Sequence, residues 1–248
     1  MTVHIGGAKY LPGMYWEKRL RVGDRAGQYI REWEKERIEK KKTETARLSP
    51  SICFSRNIGV GALEIADILA AKIGYRVVDR ELLEHITSKT DLNEKTIALF
   101  DERYPGKLDE FLSFLLGKKS FISSDYTRQL FRAVLSIDGL GPTLFLGRGA
   151  HLILPRERVL AVRFISSEEH RIKRLARILE VKEKDAEKEL GQIDKEQRDF
   201  FKKVFDRKDA SPYEFDMVIN CDYIKEPQWA AEIVRQAFEK KFASEIRE

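Results

Sequence analysis

The sequence predicts an α/β protein built on a doubly wound parallel sheet, and three observations predict it. Short apolar runs recur at 52–55, 75–79, 143–147, 160–165 and 216–220. Helix-like segments lie between them at 61–73, at 80–87, within 91–137, over 168–203 in two or three pieces, and at 227–243. Strands separated by helices of this length form parallel βαβ units. The third observation is size: 248 residues, 42% of them hydrophobic and 10% aromatic, can bury one substantial core.

The N-terminal part stands apart from this pattern. Residues 1–14 carry the Gly and Pro content of an irregular lead-in. From about 24 to 46 the pattern is helical, with Asp24 as a candidate cap and Ala26, Tyr29, Ile30, Trp33 and Ile38 as a narrow apolar stripe. That stripe docks on the body or on a partner chain, a second copy included; otherwise the arm binds something acidic. Docking is favoured because Trp33 and Ile30 would otherwise stay wet. Leu48-Ser49-Pro50 reads as the boundary, which divides the chain into an extension, 1–48, and a main domain, 49–248.

Charge supports the division. Residues 1–48 hold twelve Lys/Arg against seven Asp/Glu, whereas 49–248 hold 34 of each. The net charge of +5 therefore resides in the arm, and the neutral body argues against a nucleic-acid-binding surface. The arm interleaves its lysines with glutamates, which suits a solvated helix better than a groove that tracks phosphates. Cys53 and Cys221 sit in strand-like runs and read as buried free thiols. The longest apolar stretches fall short of a membrane span, and the first residues lack a signal-peptide core, so the expected location is cytoplasmic.

In an open parallel sheet, ligands bind at the carboxyl ends of the strands, so the residues just after each apolar run carry the functional expectation. After the first run comes Ser55-Arg56-Asn57-Ile58-Gly59-Val60-Gly61. Two glycines let backbone N–H groups turn inward, and the positive end of the following helix points at the same spot. Against the P-loop pattern G-x-x-x-x-G-K-[ST], with Gly61 as the second glycine, Arg56 stands at the first glycine, Ala62 at the lysine and Leu63 at the hydroxyl. Backbone and helix dipole still make an anion site of Arg56, Asn57, Gly59, Gly61, Ala62 and Leu63. A plain packing turn is the competing reading.

The second run ends in Asp79, followed by Arg80. A carboxylate there can orient magnesium-bound water or a substrate hydroxyl, or cap the next helix, and the roles are compatible. The third run ends in Gly147-Arg148-Gly149-Ala150-His151; an arginine between two glycines is suited to fork onto phosphate. His151 reads as a packing residue. After the fourth run, Arg171, Arg174 and Arg177 recur every three residues, close to one helix face, and Asp194 and Arg198 follow four apart.

With these features in this order, the chain resembles the cytidylate kinase-like family, a branch of the P-loop nucleoside monophosphate kinases. The motifs that carry the resemblance are SRNIGVGALEIADILAAKIGYRVVDRELL (55–83), GRGAHLIL (147–154), RFISSEEHRIKRLARI (163–178), IDKEQRDFFKKVF (193–205) and FDMVINCD (215–222). The resemblance implies a five-stranded parallel sheet sandwiched by helices, with ATP and Mg²⁺ at the first loop. It implies an acceptor, a nucleoside monophosphate or similar small molecule, near Asp79, Arg80 and Arg148. It further implies a mobile helical lid over about 171–207, in which Arg174, Arg177 and Arg198 stabilise the transferring phosphate and Asp194 orients Arg198 or a neighbouring lid arginine. Family members already lack the lysine; Val60 and Ala62 depart further, and Arg56 is the candidate substitute cation.

Two functions compete. One is an ATP-dependent phosphotransferase, favoured by the retained arginine set. The other is a nucleotide-binding protein without catalysis, favoured by Ala62 and Leu63. Residues 91–137 show no pattern that names the acceptor.

Overall fold

The computed structural model describes residues 3–5, 8–10, 15, 19–40, 48–103, 124–208 and 210–243. Its centre is a five-stranded, all-parallel sheet. The strands β3 (Ser51–Arg56), β4 (Arg76–Asp79), β5 (Thr143–Leu146), β6 (Val159–Ile165) and β7 (Met217–Asn220) stand in the order β4-β5-β3-β6-β7. All five apolar runs are strands, and β3, buried along its whole length, takes the centre.

Successive strand residues face opposite sides, so the sheet divides two cores between its faces. Ile52, Phe54, Leu144, Leu146 and Val162 pack under α2 (Ala62–Ile73) and the helix spanning Pro227–Lys241. Cys53, Val78, Phe145 and Ala161 face the other side, under α3 (Arg80–Ser88) and the helix Asp125–Leu140. Both cysteines are free and buried.

The N-terminal helix, α1, runs Val22–Lys40. Its stripe docks: Ala26, Ile30 and Trp33 are buried in the core that also holds Leu82, Leu83 and Ile86 of α3. The Ile38 side chain and residues 41–47 lie outside the described residues. The expectation of an irregular lead-in is corrected by a short antiparallel ladder, β1 (Val3–Ile5) with β2 (Ala8–Tyr10).

Among the described residues, the long helical stretch expected within 91–137 holds the helices α4 (Thr90–Arg103) and α5 (Asp125–Leu140); residues 104–123 lie outside the described set. A single-turn helix, α6 (Ala150–Ile153), follows β5. The charged segment after β6 folds as a helical pair, α7 (Glu168–Leu179) and α8 (Glu183–Phe205). This pair has its own small core of Leu175, Leu179, Ala186, Leu190 and Ile193, into which Ile58 of the first loop inserts. The loop and the helical pair are thus packed as one unit. The last helix, α9, spans Pro227–Lys241. Among the described residues no helix is long and apolar enough to cross a membrane.

Candidate active site

Every parallel strand of the sheet ends at the same edge, which brings Arg56, Asp79, Gly147 and the residues after Ile165 and Asn220 to one rim. The first loop crosses this rim with Gly59 at φ 83° and Gly61 at φ 89°. A side chain would be strained at both positions. It would also meet neighbours: a Cβ on Gly61 would lie 3.0 Å from the Arg174 guanidinium, and one on Gly59 would lie 3.2 Å from Leu175. Gly61 caps α2 without a side-chain hydrogen bond, so the helix dipole faces the loop.

Ala62 and Leu63 are 1% and 4% exposed and pack into the core beneath α2. The positions of the P-loop lysine and hydroxyl have therefore become packing positions. The next residue, Glu64, accepts a hydrogen bond from Arg174 Nη2 at 3.0 Å. Arg174 and Arg177 line, with Gly61, Glu64, Ile224 and Pro227, a cavity of about 350 Å³.

Arg56 is buried and turns away from that cavity. Its Nη1 reaches Gln197 Oε1 at 3.4 Å, and Gln197 Nε2 donates to the Arg56 carbonyl at 3.0 Å. It lines a narrow slot with Arg80, Arg148 and Phe201. Arg148 adopts φ 52°, pairs with Glu84 and lies 4.0 Å over the Phe200 ring. Burial, then Arg80 and Arg56, push its guanidinium pKa down; the Glu84 carboxylate opposes them, and a guanidinium so paired stays charged. Arg80 shares Glu84, donating from Nε to Oε1 at 3.2 Å.

Asp194 and Arg198 occur on α8 but part company. Asp194 Oδ2 accepts from Arg171 Nη1 at 2.8 Å, and the same nitrogen donates to the Ile58 carbonyl at 3.2 Å. Asp194 thus meets Arg171 of α7 and not Arg198 of its own helix in the described contacts. Arg198 is exposed and lines a cavity of about 110 Å³ with Asn57, Arg163 and Lys208. Arg163 Nη1 in turn donates to Ser55 Oγ at 2.7 Å.

Asp79 is engaged on all sides. Oδ1 accepts from the Leu82 N–H at 2.8 Å, capping α3, and from Arg25 Nη2 at 3.2 Å. Oδ2 accepts from Arg25 Nη1 at 2.8 Å and from Arg19. Burial opposes the charge, but the Arg25 guanidinium beside it, then Arg19 and the Leu82 amide, hold the carboxyl below the usual carboxylate range. Four acceptor directions are used, which is what a carboxylate offers. The expected water-mediated magnesium role therefore finds no open lone pair in this arrangement.

The geometry thus collects Arg56, Arg80 and Arg148 around one slot, Gly61, Arg174 and Arg177 around a larger cavity, and Asn57, Asp194 and Arg198 around a third. Sequence reasoning missed Gln197, Glu64, Arg163, Glu84 and the two arm arginines. Arg163 carried a signal, being a charge inside an apolar strand; Gln197 and Glu64 look like ordinary helix-face residues.

A parallel sheet of this order with a glycine-bearing loop opening α2 defines a P-loop kinase-like α/β protein. The chain belongs to the cytidylate kinase-like family, which it matches over residues 51–223. Among solved structures, an uncharacterized protein from Eubacterium ventriosum ATCC 27560 shares the fold with a TM-score of 0.59 at 18% identity, over 78% of this chain and 99% of that one. Shikimate kinase from Bacteroides thetaiotaomicron aligns over 77% of this chain and 96% of its own, with 11% identity and a TM-score of 0.38. No curated protein sequence matches the chain.

Proposed function

We propose that the protein is an ATP-dependent phosphotransferase that moves the γ-phosphate to a nucleoside monophosphate or similar small acceptor. The observation that carries this reading is the convergence of α7 arginines on the first loop: Arg174 against Gly61, and Arg171 on the Ile58 carbonyl. Phosphoryl transfer needs positioning and charge neutralisation more than covalent help, and this loop is bordered by guanidinium groups on several sides.

The residues present fit a nucleoside triphosphate. The αL glycines and the uncapped start of α2 offer backbone N–H groups to phosphate. The adjoining cavity of about 350 Å³ accepts a base between Arg177 and the Ile224–Pro227 segment. On this reading the acceptor binds at the slot of Arg80 and Arg148, and the α7–α8 pair closes as a lid. Magnesium fits less well. Leu63 replaces the hydroxyl, Asp79 is saturated, and among the described residues no cluster of three or more His, Cys, Asp or Glu could hold a metal.

A second reading, nucleotide binding without turnover, is favoured by the burial of Ala62 and Leu63. Calorimetric titration with ATP and Mg²⁺, beside turnover assays on a panel of nucleoside monophosphates, separates the two. Binding with turnover supports the kinase; binding without turnover on every acceptor supports the second reading; absence of binding overturns both.

A further inference from the structure

The chain ahead of the family-matching region is attached in two different ways. From Val22 onward it is built into the fold. Ala26, Ile30 and Trp33 of α1 are at most 3% exposed, and Tyr29 donates to the Val77 carbonyl of the edge strand β4 at 3.3 Å. Ahead of α1 the attachments are polar and lie nearer the surface. The ladder of β1 and β2 rests on the helical pair, β1 against α8 and β2 against α7. Tyr15 and Arg19 then fasten the chain to the body. The Tyr15 hydroxyl donates to Asp67 Oδ2 at 2.6 Å, Arg19 Nη2 donates to Asp67 Oδ1 at 2.7 Å, and Arg19 Nη1 donates to Asp79. Asp67 belongs to α2, so both of its oxygens serve this segment.

The two ends of the segment thus hold parts of the fold that can move apart. The α7–α8 pair has a small core of its own, distinct from both sheet cores. It is rooted in the body at the far end of α8, where Val204 and Phe205 join the core beneath α3 and α5. A unit packed in this way can swing as one piece while the sheet keeps its packing. Five peptide steps separate Tyr10, the end of β2, from Tyr15. A connection of that length spans at most roughly 18 Å even when fully extended. While the clasp at Asp67 is shut, the ladder is therefore on a short leash.

We propose that the segment ahead of α1 is a strap: its ladder bears on the α7–α8 pair, its clasp at Tyr15 and Arg19 grips α2 and β4, and together they restrain the pair from opening away from the rim. The clasp is the releasable end. The Arg19 and Asp67 side chains are 23% and 22% exposed, whereas the Arg25–Asp79 pair that anchors α1 is buried. Partly exposed polar contacts of this kind open at small cost and are weakened by salt. The part that such a strap plays in turnover rests on the reading above in which the pair closes as a lid.

The test is amide hydrogen exchange on the full chain, without ligand. Tyr15→Phe removes the hydroxyl but keeps the ring, which packs on the core beneath α2. Combined with Arg19→Gln, it should speed exchange over α7 and α8 by roughly ten-fold, the joint effect of two partly exposed charge-assisted contacts. Over α1 and β3 the rates should hold. Asp67→Ala, which removes the acceptor that Tyr15 and Arg19 share, should reproduce the pattern. Lys72→Ala breaks an exposed ion pair with Glu232 elsewhere on α2 and should leave α7 and α8 unchanged. Circular dichroism follows the folding of each variant.

Three results overturn the strap. Unaltered exchange over α7 and α8 in both the double variant and Asp67→Ala shows that the clasp does not restrain the pair. Acceleration that reaches α1 and β3 equally shows that the clasp supports the whole fold. An equal acceleration in Lys72→Ala traces the effect to the charge of α2 at large. Because the measurement needs no nucleotide, each of these results leaves the ATP-site reading standing, and failure to bind ATP would leave the strap standing.

Discussion

Arg25 on the N-terminal helix donates to both oxygens of Asp79, the last residue of β4, at 2.8 and 3.2 Å. The side chains of Arg25 and Asp79 are 8% and 7% exposed, so the pair is a buried one. A segment that precedes the family-matching region thus neutralises a carboxylate at the functional rim. Arg19 adds a second tie, bridging Asp79 and Asp67, and Tyr15 reaches Asp67 at 2.6 Å. The arm is held by charge at this end and by Ile30 and Trp33 along α1.

Arg25→Ala should therefore destabilise the fold by about 3 kcal/mol, since it leaves a buried carboxylate short of its main partner. Arg19→Ala should cost less, because Arg19 is 23% exposed and water can replace part of its role. Urea unfolding of both variants measures the difference. Equal, small losses would mean that the arm contributes little through Asp79.

The same pair predicts an acid limb. Asp79 is held below its ordinary range in the folded state by Arg25 and Arg19, against the cost of burial. Its contribution is complete above the unfolded value of about 3.9 and disappears as pH falls through the lower folded value. Below pH 4, wild-type stability should drop more steeply than that of Asp79→Asn. Parallel curves from chemical denaturation at pH 3, 4 and 5 would exclude the linkage.

His151 predicts a second slope at higher pH. Burial lowers its pKa, with Glu214 pulling the other way, and the ring packs on Phe215 at 4.9 Å between centroids. Below about 6.5 the unfolded chain takes up a proton that the folded chain still refuses. Stability should therefore fall as pH drops from about 7 towards 5, and His151→Gln should flatten that slope. Glu214 keeps Arg207 as a partner at 2.6 Å, so the substitution does not strand it.

Much of the fold was legible because its signals are local. Each apolar run became a strand, and helix-length periodicity marked the connections. The rule that ligands gather at strand ends located the loop at 55–61, Asp79 and Arg148 with no motif at all. What remained hidden depends on contacts between distant segments. Gln197 lies 141 residues from the Arg56 it grips, and nothing in the α8 sequence marks it. Asp194 and Arg198 have the i,i+4 spacing that suggests a pair within one helix. The interhelical contact with Arg171 won instead, because packing α7 on α8 brings that guanidinium within 2.8 Å. Arg174 against Gly61 is likewise a product of helix packing.

The two glycines around Arg148 should respond unequally to alanine. Both have positive φ, Gly147 at 91° and Gly149 at 70°, so each substitution incurs a backbone cost of about 1–2 kcal/mol. A Cβ on Gly147 meets nothing closer than Arg80 Cβ at 3.9 Å, whereas one on Gly149 would run into the Phe205 ring. Gly149→Ala should therefore lose a further ~1–3 kcal/mol from overpacking, read as a lower melting temperature than Gly147→Ala. Since Phe205 ends α8, the damage should reach the helical pair as well.

Asp194→Ala tests whether the first loop and the α7–α8 pair act as one unit. Arg171 is 7% exposed and divides a single nitrogen between Asp194 and the Ile58 carbonyl. Removing the carboxylate leaves a buried guanidinium with the carbonyl as its remaining described acceptor, at a cost of about 3 kcal/mol. That cost falls on the contact joining loop to helices, while the sheet cores beneath α2 and α3 keep their packing. Amide hydrogen exchange should accordingly quicken over 57–61 and along α7 and α8, with β3 and α2 nearly unchanged. Uniformly faster exchange, reaching β3 and α2 equally, would show that Asp194 supports the whole fold and that the loop has no separate coupling to the helical pair.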